Sequence, residues 1–125
     1  MQENEISGII IGAAIEVHKN LGPGLLESVY EHCLAHELAR MGINFQRQHP
    51  LPVIYKGESL ELGFRLDLWV ENKVIVEIKA VDALNPIHMA QVLTYLRLTD
   101  CKLGMLLNFN VLRMLDGVQR VANRL

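Results

Sequence analysis

Between Arg65 and Lys79 the chain reads RLDLWVENKVIVEIK, with apolar residues at alternate positions on both sides of Glu71-Asn72-Lys73. A period of two is the signature of a strand, and three turn-forming residues between two such runs predict a β-hairpin. With Val70 facing Val74, Leu68 opposes Val76 and Leu66 opposes Ile78, so six apolar side chains share one face. A slip of one residue would expose that whole set and bury the charges, which makes the register self-consistent. The same register puts Asp67 opposite Glu77 on the other face, with Lys79 two positions further along. Opposed residues of an antiparallel pair have Cβ atoms about 4.5–5.5 Å apart, so two carboxylates and an ammonium converge.

The rest of the chain supplies layers for that hairpin. Ile6, Ile9, Ile10, Ala13, Ala14 and Val17 recur at helical spacing from Glu5 to Asn20, and Gly22-Pro23-Gly24 stops the helix. A second helix is expected from about Leu25 to Met41, with Leu26, Val29, Tyr30, Cys33, Leu34 and Leu38 on its buried stripe. Extended segments follow at Ile43 to Gln48, Leu51 to Tyr55 and Leu60 to Leu62, with a turn at Lys56-Gly57-Glu58. Pro50 and Pro52 mark an edge or a bend. A third helix runs from Pro86 to about Leu98, packing through Met89, Val92, Leu93 and Leu96. A strand from Lys102 to Phe109 and a last hairpin turning at Asp116-Gly117 complete the order. The reading is an α/β (α+β) chain of order αα-βββ-α-β, and 125 residues at 50% hydrophobic content suit one domain over residues 1–125.

Composition narrows the class of function. The formal charge of -2 provides no field for strong sequence-independent nucleic-acid binding, so a phosphate partner must be held locally. Apolar runs such as Ser7 to Ile15 fall well short of the ~20 residues of a membrane span. The acidic start (Glu3, Glu5) is unlike a signal peptide. Cys33 and Cys101 read as buried thiols of a cytoplasmic protein with no membrane attachment. His32 and His36 flank Cys33 on one helix, but no third zinc ligand is evident.

Asp67, Glu77 and Lys79 suit a hard-metal hydrolytic site. Mg²⁺ or Mn²⁺ binds through one or two carboxylates with substrate phosphate and water, and an ammonium orients the attacking water or offsets developing charge. The competing reading is a solvated cross-strand ion pair. Glu27 in a first helical turn offsets the macrodipole whether or not it does more. Gln91 and Tyr95 are an i,i+4 pair on the third helix, and His88 precedes them on the same stripe, within reach of a phosphate or simply solvated.

Gly24-Leu25-Leu26-Glu27-Ser28-Val29-Tyr30 reads as a GxxExxY signature, Asp67 with Glu77-Ile78-Lys79 as a D…ExK core, and Gln91 to Tyr95 as a QxxxY element. In this order they resemble the small GxxExxY proteins of the PD-(D/E)XK nuclease superfamily, over nearly the whole chain. Leu66 stands where the superfamily's name-giving proline would be. The resemblance implies a restriction-endonuclease-like core, a central mixed sheet flanked by helices. It also implies Asp67, Glu77 and Glu27 as metal ligands, Lys79 as the catalytic lysine, and Gln91, Tyr95 and His88 on the substrate side. The function expected is Mg²⁺- or Mn²⁺-dependent hydrolysis of nucleic acid, DNA ahead of RNA, with grip supplied by a homodimer or a larger protein partner. The alternative is a non-catalytic module that keeps the fold to bind a protein or nucleic acid.

Overall fold

The computed structural model describes residues 1–125, apart from the side chains of residues 61 and 62. Its elements are α1 (Glu3–Leu21), α2 (Glu27–Arg40), β1 (Phe45–Tyr55), β2 (Glu58–Val70), β3 (Val74–Lys79), α3 (Pro86–Thr99), β4 (Leu103–Asn108), a 3₁₀ turn (Met114–Gly117) and β5 (Val118–Ala122). The five strands form one sheet in sequence order. β3 and β4 are parallel, joined by a crossover through α3, and the other pairs are antiparallel. This is the mixed sheet flanked by helices that the sequence led us to expect, in the expected order.

Two apolar layers clamp the sheet. Ile6, Ile10, Ala13 and Val17 of α1 and Tyr30, Leu34 and Leu38 of α2 pack on one face, against Leu68, Val70, Val74, Val76, Ile78 and Met105. Val92, Tyr95 and Leu96 of α3 cover the other face, against Ile75 and Leu106. β3 is therefore buried on both sides, and its VIVEIK sequence is the near-continuous apolar run such a central strand needs, interrupted only by Glu77 before the closing Lys79. No helix among the described residues is long and apolar enough to cross a membrane.

Four expectations are corrected. Leu26 is 73% exposed and Val29 38%, because Leu26 keeps an extended backbone as the N-cap of α2 and the buried stripe begins only at Tyr30. Ile43 to Gln48 and Leu51 to Tyr55 are not two segments: Phe45–Tyr55 is one outer strand, with a register irregularity between Leu51 and Val53. A Cβ on Gly63 would sit 2.0 Å from the Leu51 carbonyl oxygen, so the close approach of β1 and β2 at this irregularity requires glycine. Leu66 is fully buried but packs in the α3 layer with Ile75, leaving five apolar residues of the hairpin rather than six on the α1–α2 face. The alternation of β2 breaks beside Asp67, opposite a stretch of β1 where Gln48 has φ 48°. Finally, the closing connection is no two-residue hairpin at Asp116-Gly117. The chain leaves β4 at Asn108 and returns through the 3₁₀ turn to β5.

Candidate active site

The β2–β3 ladder pairs Val70 with Val74, Trp69 with Ile75 and Leu68 with Val76, and there it stops. Beyond that point the carboxylates take over the work of the ladder. Asp67 Oδ2 accepts the Ile78 N–H at 2.8 Å, and Glu77 Oε1 accepts the Asp67 N–H at 3.3 Å. Each acid thus satisfies a peptide group of the opposite strand as the strands part, which meets the requirement that buried backbone donors find acceptors. The same two bonds fix where both carboxyl groups lie.

Glu77 is 5% exposed. Burial is the main reason its carboxyl is pushed up to about 9, with the charge of Asp67 and hydrogen bonding to Asp67 adding to the rise and Lys79 opposing it. At neutral pH the pair therefore retains a proton between its two acids. Lys79 is half-buried at the end of β3 and is paired in the parallel ladder with Asn108. Asn108, itself buried, accepts the Val81 N–H at 3.1 Å and donates to the Val81 carbonyl at 2.9 Å, holding the segment just past Lys79. Lys79 has no salt-bridge partner among the described residues.

Glu27, the first residue of α2, reaches the same strand end: its Oε1 accepts the Ala80 N–H at 3.3 Å. What aims it is the loop before it. The Tyr30 hydroxyl donates to the Gly22 carbonyl at 2.6 Å and accepts from the Leu25 N–H at 3.1 Å, while its ring stacks on Phe109 at 4.5 Å between centroids. Gly24 turns this loop with φ 94°. The glycine, glutamate and tyrosine of the Gly24–Tyr30 segment therefore have separate physical tasks: turning the chain, reaching β3 and tying the loop down.

From the α3 side, the Tyr95 ring is buried and lies 5.1 Å from that of Phe64. Burial first, then the charges of Glu77 and Asp67, push its hydroxyl up to about 12, so it stays protonated at neutral pH. Gln91 is half-buried one turn earlier. His88 caps its own helix, with Nδ1 accepting the Asn85 N–H at 3.2 Å. Neither Gln91 nor His88 is hydrogen-bonded to Asp67 or Glu77.

Sequence reasoning passed over Glu31 and Gln48. Glu31, 7% exposed, receives Arg47 at 3.1 and 3.3 Å and the Gln48 side-chain amide at 2.6 Å. The Gln48 amide also reaches Asp67 Oδ1 at 3.3 Å. One signal was present, since Glu31 follows Glu27 by four residues and so shares its helix face. No local pattern marks Gln48.

The donor set suits a small hard cation. Asp67 and Glu77 each spend one carboxylate oxygen on backbone, and the second oxygen of Asp67 takes only the long contact from the Gln48 amide. Mg²⁺ commonly takes one or two protein carboxylates, completing its shell with water and phosphate. No cluster of three or more His, Cys, Asp or Glu side chains able to hold an ion occurs among the described residues. Glu27, bonded to Ala80, is thus not gathered with the pair.

Searches of curated proteins and of solved structures return no match. A family model described as the PD-(D/E)XK nuclease superfamily matches residues 4–121. That span takes in all three helices and all five strands apart from the ends of α1 and β5, and the acids the strands bring together are those of the D…ExK pattern. The chain belongs to the PD-(D/E)XK nuclease superfamily.

Proposed function

We propose that this protein is a Mg²⁺- or Mn²⁺-dependent nuclease that hydrolyses phosphodiester bonds of nucleic acid, DNA ahead of RNA, and that within its superfamily it is one of the GxxExxY proteins. The observation that carries the reading is the place where the β2–β3 ladder ends: Asp67 and Glu77 meet there, bonded to each other's strands, with Lys79 at the adjoining strand end.

Asp67 and Glu77 are the residues that would hold the cation. A bound divalent ion supplies Lewis acidity, lowering the pKa of an attacking water and drawing charge from the phosphoryl oxygens. Glu77, whose proton is held mainly by burial and then by the neighbouring Asp67 charge, would have to release it for its carboxylate to serve as a ligand. The Lys79 ammonium, with no salt-bridge partner among the described residues, orients the water or meets the charge that develops on phosphate. The Tyr95 hydroxyl donates to a phosphate oxygen, Gln91 and His88 line the approach along α3, and Glu27 adds an acidic group from α2. With a net charge of -2 the chain has little long-range attraction for a polyanion, so a second copy or a larger protein partner supplies grip.

Incubation with single- and double-stranded DNA and RNA in Mg²⁺, Mn²⁺ or EDTA tests the reading. Cleavage of at least one substrate in metal and none in EDTA is expected. Undiminished cleavage in EDTA would overturn the metal-dependent mechanism. No cleavage of any substrate under any condition would favour the non-catalytic module.

A further inference from the structure

Gln48 has an unusual conformation for its place in the chain. It lies inside β1, yet its φ is 48°, the left-handed region that strand residues with a side chain avoid. The neighbours on either side pair regularly with β2, Arg47 with Leu68 and His49 with Leu66, whereas Gln48 itself makes no ladder pair with Asp67. Such a backbone persists only where the surroundings impose it, and it is concentrated at functional sites.

The left-handed turn sends the side chain to two acids on two different elements. Its amide nitrogen is 2.6 Å from Glu31 Oε1 on α2 and 3.3 Å from Asp67 Oδ1 on β2. Both contacts are to carboxylate acceptors, so the orientation of the amide is unambiguous: nitrogen toward the acids, oxygen away. Glu31 is in turn held by the Arg47 guanidinium through two donors. The run is therefore Arg47 to Glu31 to Gln48 to Asp67, ending on the Asp67 oxygen that the Ile78 N–H does not occupy.

We infer that Gln48 is a positioning residue for the metal site, acting through Asp67. The inference rests on the metal-site reading above. With Ile78 holding Oδ2 and Gln48 restraining Oδ1, Asp67 is presented in one rotamer, and removing such an outer hydrogen-bond partner of a ligand typically weakens metal affinity about 10–100-fold. Glu31 fixes the amide and Arg47 fixes Glu31, and neither is hydrogen-bonded to Asp67.

Gln48→Gly separates positioning from mere support of the fold, because glycine takes φ 48° without steric conflict and deletes only the side chain. The measurement is Mn²⁺ binding by calorimetry on the full chain, with urea unfolding as a second readout. The expected result is a Kd for Mn²⁺ raised at least tenfold in Q48G while the urea midpoint is unchanged or higher. The same substitution placed on Asp67→Asn should change the Mn²⁺ titration no further. A wild-type Kd in Q48G would overturn this inference and leave the metal site standing. An equal tenfold loss on both backgrounds would show that Gln48 acts elsewhere than through Asp67. No Mn²⁺ binding by the wild type would overturn the metal reading, and the inference with it. Gln48→Asn, which also tolerates left-handed φ but is one methylene shorter, guards against a folding defect in the glycine variant. It should bind Mn²⁺ more weakly than wild type, and equal binding would likewise overturn the inference.

Discussion

Lys79→Ala should reduce metal-dependent cleavage by roughly 10²–10³-fold, the scale on which a group that meets developing charge contributes, while the protein stays folded. The side chain is half-buried at the end of β3 and has no salt-bridge partner among the described residues, so its loss breaks no ion pair of the fold. The strand end is held by other means: the Lys79–Asn108 ladder position and the two bonds between Asn108 and Val81. Stability should therefore change by no more than about 0.5 kcal/mol in urea unfolding, as for substitutions away from packed features. Because Lys79 also lowers the Glu77 carboxyl, the alanine variant should hold the Glu77 proton more firmly. Lys79→Arg keeps the charge but replaces a compact ammonium with a broad planar fork, and should recover only part of the rate. Wild-type turnover in Lys79→Ala would remove Lys79 from the mechanism.

Glu77→Gln should have the opposite pairing of effects, a more stable protein with no activity. The folded chain holds the Glu77 proton up to about 9, whereas an unfolded glutamate releases it near 4.5. Between those values the folded state binds the extra proton, so stability is greatest on the acid side and falls as pH rises through this window. At pH 7 the loss relative to the acid side is about 3 kcal/mol, an upper figure that follows from ~1.4 kcal/mol per pH unit. A neutral amide has no proton to lose. Its carbonyl can still accept the Asp67 N–H, and its NH₂ can donate to the Asp67 carboxylate. Thermal unfolding without metal, followed from pH 5 to pH 9, should show the wild type losing ground on the variant throughout, reaching a gap of roughly 10 °C near neutrality. Parallel curves for the two proteins would show that Glu77 does not carry the raised carboxyl. Such a gain at the cost of activity is the usual mark of a site that retains an unfavourable group for function.

The hairpin could be read from sequence because its evidence is local and redundant. Period-two alternation, a turn tripeptide and the penalty for a one-residue slip all specify the register in which Leu68 meets Val76, and Asp67 is brought to Glu77 in consequence. Glu27 was approachable for a similar reason, lying at a helix start just after a glycine-proline stop. What escaped was non-local. Glu31 and Gln48 are adjacent only because α2 and β1 both pack beside β2, and nothing in the QRQHP stretch announces a left-handed residue inside a strand. The misplaced Leu66 has the same origin: alternation is a rule for unbroken ladders, and this one is interrupted at the acids. Leu26 and Val29 were placed in the core on apolar character, but the helix begins at Glu27 and its buried face begins at Tyr30. Along α3, the i,i+4 spacing of Gln91 and Tyr95 was legible as a helical pair, and only the resemblance to a QxxxY element suggested a role on the substrate side. The capping bond of His88 depends on an N-cap at Asn85 that sets which way the imidazole turns.

The most direct test of the central claim, that the carboxyls gathered where β2 and β3 part form a divalent-metal site, is a Mn²⁺ titration by calorimetry. It should compare the wild type with an Asp67→Ala/Glu77→Ala double variant, at two values of pH. The wild type should bind saturably, and more tightly at pH 8 than at pH 6, because the Glu77 proton must leave as the cation enters. The double variant, shown to be folded by urea unfolding, should give only heats of dilution. Titrations that match between the two proteins would contradict the claim, since any Mn²⁺ bound would then be held away from Asp67 and Glu77.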